Sequence, residues 1–169
     1  MNLFVEYRED NGAIFSSCGN YRYRLWRIWD KTKPIVGFVC LNPSTANSDA
    51  NDPTVRRIKG FTNKWRYGGF ILINLYSLIS TNPKALISTM FPLGPLHRKH
   101  VQYACWRCDY IVCAWGTFPE AQKMVNTTIN TLKHYGHDRL YAIKLSKDNI
   151  PMHPLYLKYT EKPIVYEKV

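Results

Sequence analysis

Acidic residues are scarce in this sequence of 169 residues: 12 Asp and Glu stand against 23 Lys and Arg, a net charge of +11. A surplus of that size is self-repulsion unless a polyanion shares the surface, so nucleic acid is the leading class of partner. A solubility device is the plain alternative. Cysteine is sparse and odd in number, five in all, with three of them inside apolar runs. That usage suits a reducing, cytoplasmic setting better than a disulfide framework. Long apolar stretches are missing: the longest runs about seven residues, against the ~20 that a membrane helix requires. The opening, Met1–Asp10, holds Glu6, Glu9 and Asp10 and no apolar signal region, so no secretory leader and no membrane partner are expected. Glycine nowhere forms a phosphate-binding fingerprint, which argues against a nucleoside-triphosphate loop and a dinucleotide loop. No two carboxylates stand out as a catalytic pair: Asp49 and Asp52 share one loop, and Asp52 reads better as a helix cap. Repeats, low-complexity tracts and linkers are absent, so one domain over residues 1–169 is expected, with its core at about 20–158.

What is present alternates. Tyr21–Trp29 is an aromatic-rich alternating segment and predicts a strand, an antiparallel edge. Ile35–Leu41, Phe70–Leu75, Tyr110–Trp115 and Leu140–Leu145 are apolar runs of the kind that form strands buried on both faces. Asp52-Pro53 predicts an N-cap and first turn for a helix reaching about Trp65, ended by Gly68-Gly69. Helices are also predicted over Leu96–Cys108 and Pro119–His134, the latter closed by Gly136, while Tyr76–Pro95 reads as an irregular excursion. Strands alternating with helices give an α/β fold: a three-layer α/β/α domain with a mainly parallel four-stranded sheet, plus an N-terminal β segment. In such sheets ligands bind beyond the carboxyl ends of the strands. The polar punctuation falls at that end each time: Asn42-Pro43-Ser44-Thr45, Asn74-Leu75-Tyr76-Ser77, Trp115-Gly116 and His153-Pro154-Leu155.

Asn42 would position a water or a substrate hydroxyl, or cap its own turn. Asn74 interrupts an apolar run, and a buried amide demands partners, so it either braces a loop or reads a ligand's donor and acceptor edge. His153, between Met152 and Pro154, sits in a segment that reads as exposed. Two basic clusters, Arg22 to Lys33 (Arg24 among them) and Arg56, Arg57, Lys59 to Arg66, are interleaved with aromatics, a mixture that grips phosphates and stacks on bases. Both clusters are expected at the surface. Cys105 and Cys108 have metal-like spacing but no second pair, so neither metal nor cofactor is expected. His97 and His100 flank Arg98 and Lys99 and read as part of a solvated basic face.

At these motifs (YRYRLWRIW, LNPSTAN, DPTVRRI, INLYS, CAWG and P-x-HPLYL) the sequence resembles the domain-of-unknown-function family 1643. More remotely, the order of motifs is similar to that of the uracil-DNA glycosylase superfamily. There a first strand ends in a water-activating motif, of which one version reads G-x-N-P-G; a middle strand ends in a base-reading Asn; a late loop carries H-P-S. Leu41-Asn42-Pro43-Ser44, Asn74 and His153-Pro154-Leu155 match these in turn, with Ser44 where Gly is usual and Leu155 where Ser is usual. The resemblance implies a glycosylase-like α/β fold and a DNA glycosylase that flips a uracil, damaged or modified base out of DNA, in repair or against phage DNA. Asn42 would hold the attacking water and His153 would hydrogen-bond the departing base. Asn74 and Ser44 would bind the base, with Phe61 or Tyr76 stacked on it. Arg22, Arg24, Arg56, Arg57 and Lys59 would hold the DNA (single-stranded DNA or RNA being the variants), and Leu155 or Tyr156 would wedge into the duplex. The alternatives are a non-catalytic nucleic-acid binder and a hydrolase of free nucleosides or nucleotides.

Overall fold

The computed structural model describes residues 10–44, 46–47 and 49–167; the acidic opening at 1–9, and Thr45 and Ser48 of the first polar loop, lie outside the described residues. Its strands are β1 (Asn11–Phe15), β2 (Arg22–Ile28), β3 (Ile35–Cys40), β4 (Gly69–Asn74), β5 (Tyr110–Cys113), β6 (Leu140–Ala142) and β7 (Ile164–Tyr166). Its helices are α1 (Pro53–Lys64), α2 (Lys84–Ser88), α3 (His97–Arg107) and α4 (Pro119–His134), with a single 3-10 turn at Pro154–Tyr156.

The apolar runs form strands because each of their two faces has a helix layer to bury against. Val36, Phe38, Phe70 and Leu72 face Val55, Ile58 and Phe61 of α1. Their neighbours Ile35, Val39, Ile71 and Ile73 face Val101 and Ala104 of α3 and Val125 and Ile129 of α4. Adjacent strand residues point to opposite faces, so two covered faces require an unbroken apolar run. Truncating a ring such as Phe38 to alanine would cost about 3–5 kcal/mol.

The sheet is mixed and has seven strands among the described residues, in the order β1-β2-β4-β3-β5-β6-β7. This corrects the expectation of a mainly parallel four-stranded sheet. Neighbours β4/β3, β3/β5 and β5/β6 are parallel, whereas β1/β2, β2/β4 and β6/β7 are antiparallel. The aromatic segment β2 is not an edge, because β1 hydrogen-bonds along its outer side and all seven of its residues are buried. The tail contributes β7, which covers the far edge of β6. Both additions bury a strand edge that would otherwise leave unpaired amides.

Helix α1 begins as its sequence dictates. Asp52 Oδ1 accepts the Val55 N–H at 2.8 Å and Pro53 occupies the first helical position. From β3 the chain crosses to α1 on one face, and from β5 it crosses to α4 on the other. Two neighbouring parallel strands whose connections leave in opposite directions open a crevice at their carboxyl ends.

Candidate functional site

A cavity of about 300 Å³ occupies that crevice, and Asn42, Ser44, Asn74 and His153 all line it. They arrive there from the ends of different elements: Asn42 and Ser44 follow β3, Asn74 ends β4, and His153 follows β6. Arg22, Asp52, Thr54, Phe118 and Leu155 complete the parts of the wall that matter chemically.

Asn42 is anchored through its donor end. Its Nδ2 donates to the Ser80 carbonyl at 2.7 Å and to the Pro43 carbonyl at 3.0 Å. The amide thus ties the loop after β3 to residues 78–80, which fixes its orientation and leaves Oδ1 as the atom for a water or hydroxyl. Asn74 differs. It is 3% exposed, and neither its Oδ1 nor its Nδ2 has a hydrogen-bond partner. Leaving one buried polar group unmet costs about 1–3 kcal/mol, so the cavity wall carries an unpaired donor and acceptor side by side, held at a cost to folding.

His153 is partly buried rather than free in a tail. Its Nδ1 accepts the Leu155 N–H at 3.4 Å, so in the neutral ring the proton sits on Nε2. Burial pushes its pKa down, and the nearby Asp52 carboxylate only partly offsets this. A neutral imidazole with a fixed tautomer is a hydrogen-bond donor that carries no charge of its own. The loop bearing it is held close by Gly116, which has φ +80° and donates its N–H to the Pro151 carbonyl at 3.0 Å.

Other expected residues are differently placed. Phe61 is buried in α1, packed on Trp65 and Tyr159 with centroids 5.5 and 5.0 Å away. Tyr76 is buried too, its hydroxyl donating to the Glu120 carbonyl at 2.7 Å. Neither lines the cavity; the aromatic ring that does is Phe118. Its signal in the sequence was its place between the strand-end glycine, Gly116, and the proline that opens α4. Asp52 was also missed, because a helix that starts at the crevice brings its capping carboxylate to the cavity wall.

The arginines of the first basic cluster do not form a surface, whereas its Lys31 and Lys33 are exposed as expected. Arg22, Arg24 and Arg27 are each 2% exposed. Arg24 lies 3.7 Å from the Tyr103 ring centroid, and Arg27 donates to the carbonyls of Trp26 and Asn47 at 2.8 Å each. Aromatic faces and backbone carbonyls take the place of water around these guanidinium groups. In the second cluster Arg57 is tied down, donating to the carbonyls of Pro154 and Leu157 and lying 3.9 Å from the Tyr159 ring centroid. Arg56 and Lys59 remain exposed on α1. Leu155 and Tyr156 project from the 3-10 turn that Arg57 holds, 40% and 72% exposed.

The expected solvated face at His97 and His100 is likewise interior. His97 Nδ1 is 2.8 Å from the Ser77 hydroxyl and His100 stacks on Tyr23 at 5.1 Å. Burial pushes both down to about 4. Cys105 and Cys108 are buried free thiols. Among the described residues no helix is long and apolar enough to cross a membrane.

Comparison with curated proteins and with solved structures finds no match for the chain. A family model does match: the family described as a protein of unknown function, DUF1643, covers residues 22–155, and the chain belongs to that family.

Proposed function

We propose that the protein is a DNA glycosylase of the uracil-DNA glycosylase type, which takes an extruded base into the crevice cavity and hydrolyses its N-glycosidic bond. The observation that carries this reading is Asn74, whose paired but unsatisfied donor and acceptor match what a base's Watson–Crick edge offers. The parallel neighbours β4, β3, β5 and β6, with a polar residue beyond each of β3, β4 and β6, support the likeness of fold.

Asn42 Oδ1 accepts a hydrogen bond from the attacking water and aims it at the anomeric carbon. An amide is a poor base, so bond breaking runs ahead of attack and positive charge grows on the sugar. The base leaves with the bond's electron pair, and His153 Nε2–H donates to the oxygen where that charge collects. Water supplies the hydroxyl of the abasic sugar and the proton that the base finally takes up. Phe118 stacks on the base. Arg56 and Lys59 meet the backbone, and Leu155 or Tyr156 fills the gap in the stack. Mass spectrometry of free bases released from DNA carrying varied modifications tests this reading. Wild type releases one class of base, and Asn42→Ala releases none while holding DNA nearly as tightly; the absence of any released base with wild type contradicts it.

A second reading, hydrolysis of a free nucleotide, is favoured by one observation: Arg22 lines the cavity instead of the outer surface.

A further inference from the structure

Strand β2 contains an irregularity whose effect falls on the cavity. Ile14 pairs with Arg24 and Phe15 with Arg22, so Tyr23 is an extra residue in β2, a bulge. Residues two apart in a regular strand share a face. Here Arg24 lies against Tyr103 of α3, whereas Arg22 lines the cavity with Leu72 and Asn74, on the α1 side of the sheet. Bulges of this kind re-aim side chains beside functional sites.

The Arg22 guanidinium is underused where it points. Nη1 donates to the Ala46 carbonyl at 2.7 Å, and Nε is sealed from solvent with no partner. No ion pair within 4.0 Å among the described residues includes Arg22. The main influence of opposite sign is Asp52, whose Oδ1 is engaged by the Val55 N–H. Burial pushes Arg22 down to about 10, so it keeps its charge at neutral pH. Across the same cavity stands Thr54, in the first turn of the 12-residue helix α1, a turn with no acidic residue of its own. A helix N-terminus concentrates positive potential, here shared with the Asp52 carboxylate that caps it, so Arg22 supplies the larger part of the charge.

We infer that Arg22 and the N-terminus of α1 form an anion subsite that takes a phosphate group of the substrate. Its assignment to phosphate rests on reading the cavity as a nucleotide site. The planar guanidinium suits two phosphate oxygens at once. Two sources carry that group: a free nucleoside monophosphate, or the phosphodiester beside a nucleotide flipped out of DNA.

The test is thermal unfolding and calorimetry with inorganic phosphate, chloride replacing it at constant ionic strength, on wild type, Arg22→Lys and Arg22→Met. Phosphate is expected to raise the wild-type Tm by a few degrees, to raise Arg22→Lys less, and to leave Arg22→Met unmoved. No shift in wild type, or an equal shift in Arg22→Met, overturns the inference. If Arg22→Met does not fold, the wild-type comparison of deoxyuridine with its 5′-monophosphate decides. Binding of the monophosphate about tenfold tighter or more supports the subsite, and equal binding overturns it. A monophosphate that competes as well as a dinucleotide of equal sequence identifies the free nucleotide as the source; a preference for the dinucleotide identifies the phosphodiester. Base release is measured separately. Phosphate binding through Arg22 without base release leaves the subsite standing and removes the glycosylase reading, whereas base release without an Arg22-dependent phosphate site removes the subsite alone.

Discussion

Gly116 lies so close to His153 that a Cβ added to it would stand 3.2 Å from the His153 Cβ. The two residues belong to the segments following β5 and β6, and their contact sets where the imidazole sits. Gly116 also has φ +80°, a left-handed conformation that costs other residues about 1–2 kcal/mol. Gly116→Ala is therefore expected to lower the Tm by a few degrees and to reduce turnover beyond what that loss explains, because His153 is displaced. Comparing kcat at a temperature where both proteins are fully folded checks this; unchanged kcat contradicts the positioning role.

Asn74 predicts a trade between stability and function. Replacing it by leucine removes an unmet donor and acceptor while keeping the same branching at Cγ, so Asn74→Leu should be neutral or stabilising by about 1 kcal/mol. The same change should abolish substrate binding. Asn74→Asp should change or stop base release, since it exchanges a donor for an acceptor. Denaturant unfolding of Asn74→Leu decides the first point, and a marked loss of stability would mean that the amide has partners in the folded protein.

Acid should destabilise the fold through its buried histidines. Burial lowers the pKa of His97, His100 and His153. Between the unfolded value of about 6.5 and the folded value, the unfolded chain binds protons that the folded one does not, so stability falls as pH falls. It is complete above pH 6.5 and declines toward about 4 for His97 and His100. His100→Phe keeps a ring against Tyr23 and removes one titrating group, so the Tm-against-pH curve of this variant should be flatter between pH 6.5 and 4.5. A curve parallel to that of wild type counts against His100 as a contributor.

The two basic clusters should separate experimentally. Arg56→Ala and Lys59→Ala remove exposed cations from α1, and are expected to weaken oligonucleotide binding and shallow its salt dependence at unchanged Tm. Arg24→Ala removes a buried guanidinium stacked on Tyr103 and should lower the Tm instead. Fluorescence anisotropy across a salt series, with unfolding curves for each variant, provides the check.

Much of this was legible in the sequence. Asp52-Pro53 marks the start of α1 because N-capping is local chemistry, and the four apolar runs mark β3, β4, β5 and β6 because two-sided burial leaves no room for polar residues. The convergence of Asn42, Asn74 and His153 followed from strand ends lying on one side of a parallel sheet. The burial of Arg22, Arg24 and Arg27 did not follow. Their partners, Ala46, Tyr103 and Asn47, are remote in sequence, and charge ordinarily signals solvent. The bulge at Tyr23 has no glycine to announce it. The short strands β1 and β7 carry no pattern of their own and exist because neighbouring edges needed partners. Phe61 and Phe118 are both aromatic and near helices, and only the packing of α1 on Tyr159 separates core from cavity.

In the proposed reaction this cavity breaks a glycosidic bond while His153 donates to the departing base. The most direct measurement is the single-turnover rate of base release from the responsive DNA, for wild type and for His153→Ala. Release by wild type is expected, with a rate lower by ~100-fold in the variant, the scale on which losing one preorganised donor to a developing anion is felt. Equal rates for the two proteins would contradict the role of His153, and no release by wild type from any DNA pool would contradict glycosylase activity altogether.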